Sequence, residues 1–137
     1  MRVYNCLMIY HKDGEKLLFC KRTKDPYYGL YNVVGGKVED GENHFDAAYR
    51  ELEEETGIGR EDVNLTHMMD FTYYNQNCVV EVYVGKLEKD VILHQELHPL
   101  LWLPLTENFF DDKKFAGEGN IGHMVEQVRI YGAGEQA

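Results

Sequence analysis

"GKVEDGENHFDAAYRELEEETGI", residues 36–58, crowds Glu51, Glu53, Glu54 and Glu55 into about one and a half turns of a helix. Like charges three and four residues apart on a helix each cost a few tenths of a kcal/mol. The helix itself is well specified. Asn43 is placed to cap its start, Asp46 falls in the first turn, and Gly57 supplies a left-handed stop, so a helix is expected over 43–56. Phe45, Ala48, Tyr49 and Leu52 recur at i, i+3, i+4 and i+7 and are the expected buried stripe. At about 100° per residue, Glu51, Glu54 and Glu55 share an arc of roughly 100° away from that stripe, with Glu53 and Arg50 beside it. Carboxylates gathered on one arc, without sulfur, suit hard cations such as Mg²⁺ or Mn²⁺ better than zinc. An isolated acidic run is more often a solvated face, so the residues around it carry the decision.

Those residues are Gly36, Glu42, Arg50, Glu51, Leu52, Glu54, Glu55, Gly57 and Ile58. They fill every fixed position of G-x5-E-x7-R-E-U-x-E-E-x-G-U, where U is a bulky aliphatic. At ordinary residue frequencies a chance match is on the order of one in ten million. The stretch resembles the signature of the Nudix hydrolases, pyrophosphohydrolases of nucleoside diphosphates linked to another moiety. The resemblance implies an α/β fold, an α/β/α sandwich with a mixed β-sheet between helices, and a Mg²⁺ (or Mn²⁺) cofactor. It makes Glu54 and Glu55 metal ligands with the Gly35 carbonyl nearby, and Glu51 a ligand or the base for the attacking water. Arg50 would orient a glutamate through a charge-assisted bond, and Glu42 either takes part or stabilises the helix start. Metal binding would relieve the repulsion among the glutamates.

The rest of the chain is consistent with that class. Its 137 residues suffice for one core, expected over 1–131, with the segment from 132 as a loose tail. A net charge of −10 disfavours nucleic-acid polymers and anionic membranes, while a small anion could still bind through divalent cations. No apolar run reaches membrane-spanning length, and no secretory leader pattern opens the chain. Cys6, Cys20 and Cys78 are odd in number and lie among apolar residues, which predicts buried reduced thiols and a cytoplasmic setting. Strands are expected at 2–10, 16–21, 32–34, 66–74, 78–87 and 100–103, with a turn at Asp13-Gly14. A last helix from about Asn120 should bury Ile121, Met124, Val125 and Val128.

Further candidates follow from the resemblance. Glu96, six residues before Trp102, has the spacing of an extra metal-binding glutamate in mutator-type members. His94 and His98 flank it, but Pro99 and the absence of an amphipathic helix argue against a zinc pair. Lys37 and Arg22 are the candidate phosphate contacts. "GLYNVVGGKVEDGE", residues 29–42, is similar to the oxidised-purine nucleoside triphosphatases, which places Asn32 at a base edge. Asn120 could face the purine or cap the last helix, and Phe115 could stack on a base or belong to the core. Where paired aspartates would read the base in human-type members, this chain has "AGEGN" at 116–120, and Asp111 and Asp112 fall too early. The expected reaction is hydrolysis of a purine nucleoside triphosphate such as 8-oxo-dGTP to the monophosphate and pyrophosphate. The alternatives are a dinucleoside polyphosphate (Ap4A-type) hydrolase, pointed to by Tyr73 and Tyr74, and a nucleotide sensor without turnover. Homodimers are common in this fold, but no interface signature is visible.

Overall fold

In the computed structural model, which describes residues 1–132, three strands precede a first α-helix and three more precede a second. The strands are β1 (Arg2–Tyr10), β2 (Lys16–Lys21), β3 (Tyr31–Asn32), β4 (Thr66–Tyr73), β5 (Cys78–Lys86) and β6 (Leu100–Pro104). The helices are α1 (His44–Thr56) and α2 (Asn120–Tyr131). The sheet runs β3-β2-β1-β5-β4, with β6 also paired to β2. It is mixed: β1 and β5 run parallel in register from Arg2↔Cys78 to Tyr10↔Lys86, and the other pairings are antiparallel. Because two parallel strands need a long crossover, α1 lies in the sequence between them.

Two cores flank the sheet. On one side Ala48 and Leu52 of α1 pack with Leu7, Ile9, Leu18 and Tyr83. On the other, Ile121, Met124 and Val128 of α2 pack with Met8, Phe19, Val82 and Val84. The alternation of strand side chains between faces thus feeds both layers of the expected sandwich. The expected α1 start is present: Asp46 N–H donates to Asn43 Oδ1 at 3.1 Å, and Gly57 stops the helix at φ 82°. Among the described residues no helix is long and apolar enough to cross a membrane.

Several expectations need correction. The third strand is Tyr31–Asn32, and Val34 makes only a single bridge to Leu7, because Gly35 (φ 153°) turns the chain across β1. The buried stripe of α1 is Ala47, Ala48, Leu52 and Thr56. Phe45 is 41% exposed, with its ring meeting Tyr83 edge-on at 5.1 Å. Tyr49 is half-buried, accepting from Leu65 N–H at 2.8 Å. Gly119, and not Asn120, is the N-cap of α2, and Gly132 ends that helix. The remainder of the expected tail, 133–137, lies outside the described residues. None of the cysteines is bridged, and Cys20 and Cys78 are buried.

Candidate active site

Arg50 is the hub of the α1 site. It grips Glu42 through Nε (2.6 Å) and Nη2 (3.0 Å), while Nη1 donates to Glu51 and to Glu54, each at 3.1 Å. Nη2 also reaches the Lys37 carbonyl at 3.1 Å. One guanidinium therefore fixes the helix glutamates to the loop that precedes the helix, a fork geometry that lysine does not offer. The contact with Arg50, aided by the Glu39 N–H, holds the Glu42 carboxyl down at about 2.

Glu51 and Glu55 behave oppositely. Burial raises the pKa of each: for Glu51 it outweighs Arg50, and for Glu55 it is reinforced by Glu54. Both side chains are only 13% exposed, against 54% for Glu54. The backbone makes room for them. A methyl on Gly36 would sit 2.2 Å from Glu51 Cδ, and one on Gly35 would sit 2.1 Å from the Asn5 carbonyl oxygen. Gly36 N–H donates to the side-chain oxygen of Asn5 at 2.9 Å. Asn5 is 3% exposed, and its Nδ2 has no hydrogen-bond partner. The donors here are all oxygens, two of them on carboxylates that are costly to ionise without a cation, and Arg50 bridges Glu51 to Glu54. This donor set fits a hard divalent ion held by Glu51, Glu54 and Glu55 with Gly35 beside them.

Two clefts open from this point. The smaller, about 210 Å³, is lined by Asn5, Arg22, Gly35, Gly36, Glu55 and His98 among others. The larger, about 380 Å³, is lined by Tyr27, Asn32, Tyr73, Gln76, Glu118 and Asn120 among others. Cys6, Asn32, Val33 and Val80 line both, so the two run into each other. The thiols nearby are not reactive groups. Desolvation pushes Cys6 up to about 12, and burial reinforced by Glu55 pushes Cys20 up to about 11.

The structure thus places Arg22, Asn32, Gly35, Glu55 and Asn120 along one continuous cleft, while Arg50, Glu51 and Glu54 line neither part of it and Glu51 adjoins it through Gly36. It does not bring Phe115 there. That ring is 1% exposed and packs on Phe19 and Phe109 at 5.3 and 5.1 Å, so the core alternative holds. Glu96 is exposed in the loop before β6 and lines neither cleft; its neighbour His98 does, with Nε2 3.6 Å from Glu55 Oε1. His94 instead packs over Gly57. Lys37 is exposed and serves through its backbone carbonyl. Asn120 spends its amide on Tyr73, donating from Nδ2 to the phenol oxygen at 2.5 Å. Tyr74 is 83% exposed and lines neither cleft.

Sequence reading missed Asn5, Tyr27, Gln76 and Glu118 as cleft residues. Asn5 breaks an apolar strand pattern, which was its one available signal. Tyr27 and Glu118 meet across the larger cleft, Tyr27 Oη donating to Glu118 Oε1 at 2.9 Å, and nothing in the sequence joins them.

A family model described as the NUDIX domain matches residues 1–125, and the chain belongs to the Nudix family. Among curated relatives, an "ADP-ribose pyrophosphatase" of Methanocaldococcus jannaschii is 44% identical over 50 residues, 36% of this chain and 29% of that protein. A "putative 8-oxo-dGTP diphosphatase YtkD" of Bacillus subtilis is 33% identical over 89 residues, 63% of this chain and 56% of that protein. The chain thus spans only 29% and 56% of the length of these two relatives. Among solved structures, a C. elegans Ap4A hydrolase binary complex shares the fold with a TM-score of 0.76 at 20% identity, over 97% of this chain and 98% of that one.

Proposed function

We propose that this chain is a divalent-metal-dependent nucleotide pyrophosphohydrolase whose preferred substrates are purine nucleoside triphosphates, oxidised ones such as 8-oxo-dGTP included. The observation that carries the reading is the continuity of the cleft. It leads from Glu55 of α1 past Arg22 to a compartment bordered by Asn32 and Asn120. A triphosphate laid along it would put its charged end at the carboxylates and its base among the amides. The name of the B. subtilis relative supports the oxidised-purine choice.

In this reading Glu51, Glu54 and Glu55 hold the cation, which when bound neutralises phosphate charge and makes a coordinated water more acidic. Arg50 keeps Glu51 and Glu54 aimed, and its grip on Glu42 fixes its own position. Arg22, which lines the same cleft as Glu55, binds phosphate. Asn32 accepts from Val33 N–H at 2.9 Å, leaving its Nδ2 to donate to a base. Glu51 serves either as a ligand of that cation or as the base for the attacking water.

A second reading has one specific observation in its favour. Tyr73 lines the larger cleft and is held by Asn120, where a second nucleoside of a dinucleoside polyphosphate could stack. A release screen with Mg²⁺ at pH 8 separates the two. It covers undamaged and 8-oxo nucleoside triphosphates, diadenosine polyphosphates, ADP-ribose and nucleotide sugars. Highest kcat/KM for 8-oxo-dGTP with pyrophosphate released is the expected result. Preference for a dinucleoside polyphosphate overturns the substrate choice, and nucleotide binding without any turnover overturns the hydrolase itself.

A further inference from the structure

A second cluster of ligand-bearing side chains lies on the α1 face of the sheet, outside the cleft. Strand β4 carries an irregularity between His67 and Met69: His67 pairs with Tyr83, Met69 with Val82 and Asp70 with Glu81. Met68 is the extra residue of this bulge. Ordinary alternation would send His67 and Asp70 to opposite faces, but the bulge restores them to one. Met68 and Met69 both turn instead to the core beneath α2. One ligand atom from each of His67, Asp70 and Glu81 can be chosen so that all three lie within 4.8 Å of one another.

The surroundings of these three residues are unusual for a merely polar patch. Asp70 and Glu81 stand directly opposite each other across the β4–β5 ladder, and like charges so placed destabilise a sheet. Glu81 is buried at 8% exposure. Its carboxylate is met by the Tyr83 hydroxyl at 3.0 Å and by His44 Nδ1 at 2.8 Å. His67 Nε2 lies 2.5 Å from Asp70 Oδ1, and its ring stacks on Tyr83 at 4.7 Å, which fixes its plane. His44 is the first residue of α1, so the cluster joins the start of that helix to strands β4 and β5. Glu51 lies seven residues further along the helix, about 10 Å away along its axis.

We propose that His67, Asp70 and Glu81, with His44 adjoining, form a second metal site that takes a zinc-class divalent transition ion. The His67 imidazole is a borderline donor beside two carboxylates, a mixed set that zinc accepts and that favours it over the hard ions suited to the all-oxygen α1 site. Such an ion would cancel the Asp70–Glu81 repulsion and tie the α1 start to the sheet.

The test is isothermal titration of Zn²⁺ into the full chain at pH 7, with millimolar Mg²⁺ present, for the wild type and for Glu54→Gln, His67→Ala and Asp70→Asn. Thermal melts with and without Zn²⁺ accompany it. His67 and Asp70 are exposed, so their variants are expected to fold. The expected result is a Zn²⁺ equivalent that persists in Glu54→Gln and weakens about tenfold or more in both His67→Ala and Asp70→Asn. Zn²⁺ should raise the Tm of the wild type but not of those two variants. Zn²⁺ binding that is lost in Glu54→Gln, or that is unchanged in His67→Ala and Asp70→Asn, overturns the proposal. So does the absence of binding in the wild type.

Discussion

The α-carbon of Gly36 lies against the carboxylate of Glu51, so closely that a methyl there would sit 2.2–2.5 Å from its three terminal atoms. Gly36 is not in a left-handed conformation, so alanine suits its backbone and only the carboxylate must move. Gly36→Ala is therefore expected to fold with a Tm near that of the wild type. It should lose about 10²-fold in kcat as Glu51 is displaced by an ångström or so. Paired melts and steady-state rates at saturating Mg²⁺ check this; a normal kcat would show that Glu51 need not occupy its present place.

The Arg50–Glu42 contact makes a pH prediction. Arg50 holds the Glu42 carboxyl down at about 2, below its unfolded value, so this contribution is complete above about pH 4.5. It is lost as pH falls from there through about 2. The wild type should show a steeper loss of Tm over that acid window than Glu42→Gln, and the two curves should converge at its bottom. Parallel acid dependence in both proteins would mean that the ion pair does not stabilise the fold.

Glu55 gives the opposite sign. Its pKa is raised by burial and by Glu54, so the folded state holds the protonated form more tightly than the unfolded chain does. Stability contributed by that proton is present below the unfolded pKa and lost as pH rises through the folded one. At pH 7.5 without metal, Glu55→Gln is expected to melt about 2–4 °C higher than the wild type. The same variant should lose at least ~10² in kcat and respond less to Mg²⁺ in the melt. A variant that melts lower and retains its rate would remove Glu55 from the metal set.

Asn32 should govern which base is accepted without touching the hydrolytic step. Asn32→Ala is expected to compress the kcat/KM ratios between purine and pyrimidine triphosphates by about tenfold, with kcat for the best substrate largely kept. Asn120→Ala serves as the comparison, since its amide already bonds Tyr73. Ratios unchanged in Asn32→Ala would place the base elsewhere in the cleft.

The grouping of Arg50, Glu51, Glu54 and Glu55 on α1 is legible in the sequence because it is local. The cap at Asn43, the stop at Gly57 and the 3.6-residue period determine which side of one helix Arg50, Glu51, Glu54 and Glu55 occupy, and that period needs no partner. The two helices and the strand positions were readable for the same reason, apart from the short third strand, whose course is decided by Gly35 crossing β1.

What the tertiary structure alone decided is which of these groups share a cavity and which are sealed from water. The segment after β3 crosses β1 and sets Gly36 beside Asn5, 31 positions away in the chain, while the parallel β1–β5 pairing sets Asn5 beside Glu81 and the antiparallel β4–β5 pairing sets Glu81 opposite Asp70. Phe115 went to the core because Phe19 and Phe109 close around it, while an identical sequence pattern on an open surface would have left its ring free. Glu55 became half-buried beside His98, and Glu54 one turn position away stayed exposed, because the loop before β6 covers only one edge of the helix. A helical period reports direction from an axis; what stands in that direction is contributed by distant parts of the chain, and desolvation, pKa and access to the cleft all depend on it.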